Sequence, residues 1–152
     1  MNKIVRVSLL LVCALLITAC GGGAQTPPAP DATILTITGG ESEHTYTLAQ
    51  LQALDAVDVE SDDGAFVGVR LSDLLADAGF AVATIASVRV AAIDGFSSTY
   101  QADRFTREDA VLAYARADGD LTGEELPLRM VMPGEEGVMQ PRMVTRIEVT
   151  LQ

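Results

Sequence analysis

Alternating apolar and polar residues predict β-strands over most of the chain from residue 32 onwards. The stretch TILTITG at 33–39 alternates and is rich in β-branched residues, and 43–47 is predicted to pair back on it. The dipeptides Asp63-Gly64 and Asp94-Gly95 interrupt two further strand-like runs, and Asp-Gly is typical of a tight hairpin turn. The remaining predicted elements are a short helical or turn segment at 105–109 and strands at 110–115, 126–132 and 146–151.

Short helices are predicted between the strands. Thr47 and Gln50 have the spacing of a capping box, in which each side chain bonds the other residue's backbone N–H. Apolar residues recur at helical spacing over 71–78, and Gly79 is placed to end that helix. Many strands and few helices, with no repeat and no second linker, predict a single α+β domain with mixed β-sheets over residues 32–152.

The first 31 residues follow a different pattern. Two basic residues precede an apolar run at 7–17, which suits a signal peptide and is too short to span a hydrocarbon layer of about 30 Å comfortably. Small residues before Cys20 and glycines after it resemble a bacterial lipobox, whose cysteine is lipidated after cleavage. We expect a signal peptide at 1–19, then a lipidated Cys20 and a flexible Gly/Pro tether at 20–31. The alternative is an ordinary secretory signal with an unrelated cysteine.

Charge and cysteine content exclude several classes of function. After cleavage, eight arginines would face twenty-one acidic residues, a formal charge of −13, which disfavours nucleic acid as a partner. Attachment to a membrane must then come from the lipid, so we expect an exported protein anchored on the outer side of a membrane. No cysteine follows Cys20, which excludes disulfides, zinc–thiolate sites and a cysteine nucleophile in the folded domain.

Four motifs in order resemble the molybdopterin-binding domain of the sulfite-oxidase-type oxidoreductases. They are FVGVRLSDLLADAGF, VRVAAIDGFSSTY, AVLAYARADGDLTGEELPLRMVMPGEEG and MQPRMVTRIEV. With the order of the predicted elements around them, the resemblance extends over nearly all of residues 33–150. Phe66 stands where the family has a tryptophan. The resemblance implies that fold and, as a cofactor, a molybdopterin whose molybdenum is bound by a cysteine thiolate.

The chain departs from the family at this metal ligand. The family's cysteine lies shortly before the first motif, where this chain reads VDVESDDGAFVG and offers Ser61, Asp62 and Asp63 instead. A serine or aspartate oxygen could bind molybdenum in principle, but a solvated hairpin turn is the favoured interpretation. A soft thiolate normally tunes and retains such a metal, so the sequence assigns no catalytic residue and no metal ligand.

Two arginines fall on the family's contacts to the pterin phosphates. Arg129 occupies the arginine of the P-L-R motif, and Arg142 replaces a lysine near the end of the domain. Guanidinium groups suit phosphate oxygens, so these two are the predicted cofactor-binding residues. Glu124 and Glu125 replace an asparagine and a glycine, and their carboxylates would repel a pyrophosphate. The alternative is that each arginine pairs with carboxylates.

Other polar residues carry weaker signals. His44 is interpreted as a surface residue. The segment DGDLTGEEL at 118–126 begins like a calcium loop, but Arg129 stands where the last glutamate ligand belongs, so an ordinary turn is favoured over weak calcium binding. Met130 and Met132 are predicted core residues. Phe96, Tyr100 and Tyr114 are predicted to pack within strands.

Taken together, the residues predict a membrane-anchored extracytoplasmic lipoprotein whose domain binds a ligand or protein partner without catalysis. Its site would be the cleft that holds Arg129 and Arg142. The alternative is an active molybdopterin-dependent oxidoreductase with a molybdenum site that lacks cysteine.

Overall fold

The computed structural model describes residues 26–152, which form two β-sheets with short helices. The strands are β1 (Thr33–Gly39), β2 (Ser42–Thr47), β3 (Ala56–Ser61), β4 (Gly64–Arg70), β5 (Ile85–Ala92), β6 (Ser97–Tyr100), β7 (Val111–Arg116), β8 (Gly119–Asp120), β9 (Arg129–Val131) and β10 (Val144–Leu151). The α-helices are α1 (Leu48–Gln52), α2 (Leu71–Asp77) and α3 (Ala102–Phe105), and 3-10 turns occur at Val82–Thr84, Gly123–Glu125 and Gly137–Met139. The predicted signal peptide and Cys20 lie outside the described residues.

The first sheet is mixed and has the order β2-β1-β10-β5-β6. Strand β10 is parallel to β1 and antiparallel to β5, so the two ends of the domain meet at the centre of this sheet. The hairpin predicted at Asp94-Gly95 joins β5 to β6, and Gly95 has the positive φ of 90° that such a turn requires of a glycine.

The second sheet is antiparallel. Its order is β3-β4-β7-β8, and β9 pairs with another part of β7. The hairpin predicted at Asp63-Gly64 joins β3 to β4. Strand β4 approaches β7 so closely at Gly68 that a Cβ atom there would lie 2.2 Å from the Leu112 carbonyl oxygen. Only glycine allows this approach.

The main core lies where α1, α2 and the inner faces of the strands meet. Leu71, Leu74 and Leu75 of α2 are fully buried, as their helical spacing predicts. Both bonds of the capping box between Thr47 and Gln50 are present at the start of α1. These local predictions are confirmed.

Two predicted boundaries are wrong. The predicted strand 126–132 is ordered as a strand only over β9, because Pro127 has no N–H to donate and the residues before Arg129 follow a 3-10 turn. The loop predicted after β7 contains the short strand β8. The segment predicted as helix or turn at 105–109 consists of the last residue of α3 and the turns that follow it. Among residues 26–152, no helix has the length and apolar composition needed to cross a bilayer.

Candidate functional site

A cleft of about 340 Å³ opens where the turns of both sheets meet. The β3–β4 turn, the β5–β6 turn and the segments that precede β9 and β10 each supply part of its wall. Its charged and aromatic lining consists of Asp63, Asp94, Phe96, Glu124, Arg129 and Arg142. Both arginines predicted from the sequence therefore line one cavity, although 13 positions separate them in the chain.

Arg129 lies at the floor of this cleft and is only 2% exposed. One of its terminal nitrogens donates to Glu125 Oε1 at 2.9 Å, and the other donates to Asp63 Oδ2. Its guanidinium carbon lies 4.6 Å from the centre of the Phe66 ring, a favourable position for a cation over an aromatic face. Only Nε has no hydrogen-bond partner in the described part of the chain, and it is shielded from solvent. The charge of Arg129 is therefore already compensated by two carboxylates.

Glu125 joins Arg129 to a second arginine. Arg116 donates from Nε to Glu125 Oε2 at 2.9 Å and from a terminal nitrogen to Oε1, and it also lies against Phe66, at 4.7 Å. Burial raises the pKa of Glu125, but the hydrogen bonds from both arginines outweigh burial and bring the pKa below its ordinary value. The carboxylate is therefore held in its charged form. We call Asp63, Arg116, Glu125 and Arg129 the cleft network.

Arg142 lies at the cleft mouth and is about half exposed. Its nearest anionic partner is again Asp63 Oδ2, at 3.4 Å. The hydrogen bond from Arg129 is the main reason that the pKa of Asp63 lies below its ordinary value, and Arg142 adds to this effect. Both predicted arginines thus pair with carboxylates, as the alternative interpretation of the sequence proposed.

Several residues of the site were not identified from the sequence. The sequence favours a solvated turn for Asp63, yet its carboxylate contacts both arginines from 66 and 79 positions away. Phe96 was predicted to pack within a strand. The structure instead places it in the turn before β6, where it is 43% exposed and lines the cleft. The only sequence signal for Phe66 was that it replaces the family's tryptophan.

The remaining sequence predictions can be placed as follows. Tyr100, Met130 and Met132 are fully buried, as predicted. His44 is exposed, and its ring forms a T-shaped pair with Phe80, with the ring centres 6.0 Å apart. Within the segment that begins like a calcium loop, Gly119 and the following residue form strand β8, so the segment does not adopt a continuous cation-binding loop.

The residues of the cleft do not fit a molybdopterin. The chain has no cysteine after residue 20 to supply a thiolate. Three carboxylates in the lining outnumber two guanidinium groups, one of which is already neutralised, so a pyrophosphate would meet net repulsion.

Comparison with known proteins nevertheless establishes the ancestry of the domain. Residues 61–152 match the family described as oxidoreductase molybdopterin binding domain, and the chain belongs to this family. The crystal structure of the sulfane dehydrogenase SoxCD from Paracoccus pantotrophus is similar in fold, with a TM-score of 0.66 and 22% sequence identity. The match covers 84% of this chain but only 40% of that chain, so this chain spans about two fifths of its length. No curated protein matches the sequence. The predicted family and the predicted α+β fold are confirmed.

Proposed function

We propose that this domain is a non-catalytic module that binds a ligand or a protein partner in its cleft, held on the outer side of a membrane by a lipid on Cys20. The observation that carries the proposal is the cleft network. The carboxylates of Asp63 and Glu125 already pair with the guanidinium of Arg129, the group that the family resemblance assigns to a cofactor phosphate.

The composition of the cleft supports binding rather than redox chemistry. Molybdenum chemistry in this family depends on a soft thiolate ligand, and the chain offers only hard oxygen donors in the corresponding turn. A cavity of about 340 Å³ still lies within the range of small-ligand sites. Phe96 and Met143 give it apolar surface, while Gln140 and Arg142 give it polar groups that can orient a ligand.

The expected export route supports the same conclusion. The apolar run near the N-terminus is not preceded by an Arg-Arg pair, which favours export of the unfolded chain. The molybdopterin cofactor is normally inserted into folded protein in the cytoplasm. A chain exported unfolded would reach the far side of the membrane without it.

Elemental analysis of the full-length protein, purified from membranes of a host that makes molybdopterin, tests the proposal. We expect molybdenum far below one atom per chain, in both the wild type and an Asp63→Asn variant that relieves part of the repulsion. Molybdenum at one atom per chain, together with electron transfer to or from an oxo-acid, would establish the alternative of an active oxidoreductase without a cysteine ligand.

Ligand binding can be tested separately by thermal-shift screening of small molecules. A ligand of the cleft should stabilise the wild type and lose most of this effect in Arg142→Gln. Arg146→Gln is the matched control, because Arg146 is also an exposed arginine but does not line the cleft. Equal loss in both variants would place the ligand elsewhere.

A further inference from the structure

An apolar surface lies at one end of the domain, beside the cleft. Three of the four large apolar side chains exposed within residues 26–152 are found there, and we call them the apolar tip: Ile93, Phe96 and Val138, which are 67%, 43% and 59% exposed. Ile93 and Phe96 flank the β5–β6 turn. The Val138 carbonyl accepts a hydrogen bond from Ser98, two residues beyond Phe96, which places the 137–139 turn beside the β5–β6 hairpin.

The first described residues run towards this tip. Pro30 accepts a hydrogen bond from Ala49 at the start of α1, and Pro28 packs near Leu126. Thr26 lines a shallow groove together with Ile93 of the tip. Followed backwards, towards Cys20, the chain therefore approaches the apolar tip.

The distance from Thr26 to the predicted lipid is short. Cys20 precedes Thr26 by six residues, which reach at most about 20 Å when fully extended. A lipid on Cys20 would consequently hold this end of the domain close to the membrane surface. The fourth exposed apolar side chain, Leu151, lies at the opposite end of β10, seven residues or roughly 23 Å along the strand from Val144.

We infer that the apolar tip rests on the lipid surface and fixes the orientation of the domain, an inference that depends on the lipid anchor of the proposed function. Large apolar side chains on a turn gain free energy when they enter the boundary between headgroups and acyl chains. The exposed arginines near the tip are already paired: Arg142 with Asp63, and Arg89, which donates to Ser97 beside Phe96, with Glu148. The contact is therefore apolar and favours zwitterionic over anionic lipid, which the strongly acidic domain would repel.

The orientation has a consequence for the cleft. Phe96 belongs both to the tip and to the cleft wall. The mouth of the cleft would therefore lie beside the lipid surface, and its ligand would enter along the membrane.

Tryptophan fluorescence tests the inference directly, because the chain contains no tryptophan. The variants Phe96→Trp and Leu151→Trp each introduce a single reporter, and the two native side chains are equally exposed, at 43%. The full-length lipidated variants are placed in phosphatidylcholine vesicles with brominated acyl chains, which quench tryptophan on contact. We expect several-fold stronger quenching and a blue shift for Phe96→Trp, and neither for Leu151→Trp. A second variant, Ile93→Asp in the Phe96→Trp background, should reduce the quenching.

The lipid anchor and the apolar tip can be contradicted separately. Mass spectrometry that shows an unmodified Cys20 would remove the anchor and with it the membrane part of the proposed function. A lipidated protein in which both reporters are equally quenched, or neither is, would contradict only the apolar tip. A blue shift of the Phe96→Trp reporter that depends on protein concentration and not on lipid would show that a second copy of the chain covers the tip.

Discussion

Two glutamates in this domain each bridge a pair of arginines, in different surroundings. Glu125 does so in the cleft network, where its side chain is 8% exposed and its partner Arg129 is 2% exposed. Glu135 does so in a second group, which we call the outer network: Arg104, Arg107, Asp109 and Glu135. There the arginines are about one-third exposed, and Glu135 itself is 20% exposed.

The comparison shows that burial changes how much an arginine–carboxylate pair contributes to stability. In the outer network water reaches every member, so each pair contributes little to the free energy of unfolding. In the cleft network two members, Glu125 and Arg129, have been removed from water, and each is a counter-ion of the other. Removing Glu125 there leaves buried Arg129 with only the half-exposed Asp63 as counter-ion, whereas the same change in the outer network leaves charges that water can solvate.

The largest difference is expected between Glu125→Gln and Glu135→Gln. The first should lower the free energy of unfolding by about 3–5 kcal/mol, because Arg129 keeps its charge and loses its buried counter-ion. The second should cost about 1 kcal/mol or less. Urea denaturation measures both, provided that the slope with denaturant is unchanged. Equal losses would mean that burial does not distinguish the two networks.

A smaller difference is expected between Phe66→Leu and Phe105→Leu. Both rings are fully buried, so both variants lose similar apolar contacts. Only Phe66 lies beneath guanidinium groups. Phe66→Leu should therefore be the more destabilising by about 1 kcal/mol, the size of a partly shielded cation–aromatic interaction. Equal losses of stability in the two variants would mean that the contact between the arginines and the Phe66 ring contributes nothing to the free energy of unfolding.

Acid should weaken the cleft network in a defined range of pH. The folded pKa of Glu125 lies below its ordinary value of 4.5, so its stabilising contribution is complete above that value and is lost as the pH falls through the folded pKa. The pKa values of Asp63 and Asp109 also lie below their ordinary value of 3.8, so their contributions are lost in the same way at lower pH. Wild-type stability should fall below about pH 4.5, and the fall should be shallower in Glu125→Gln. Parallel curves for the two proteins would exclude Glu125 as a source of the acid sensitivity.

The smallest effects are expected at the two aspartates. Asp63 and Asp109 are each about half exposed, so Asp63→Asn and Asp109→Asn should each cost about 1 kcal/mol or less. Asp63→Asn should be the larger, because it withdraws an anion from buried Arg129. Thermal unfolding of the two variants side by side ranks them, and the reverse order would show that Glu125 alone neutralises Arg129.

Much of the fold could be predicted because it depends on neighbouring residues. The Asp-Gly hairpins, the capping box at Thr47 and the helix that ends before Gly79 are each determined within about ten positions of chain. Predicted strand boundaries are wrong where the local apolar pattern and the pairing of strands in the folded chain differ. Strand β9 is shorter than its apolar run, because its ladder with β7 begins only at Arg129.

The sequence by itself determined the family, the α+β class, the absence of a thiolate and the two arginines of the cleft. All of these can be read from residue types at fixed spacings. Only the tertiary structure decided what those arginines bind, because their carboxylate partner Asp63 lies 66 and 79 positions away. Asp63 meets Arg129 when β4, β7 and β9 pair in one sheet, and it meets Arg142 when the segment before β10 packs beside that sheet. The tertiary structure also decided that Phe96 leaves the strand and joins the apolar tip, since exposure depends on which neighbours the folded chain supplies.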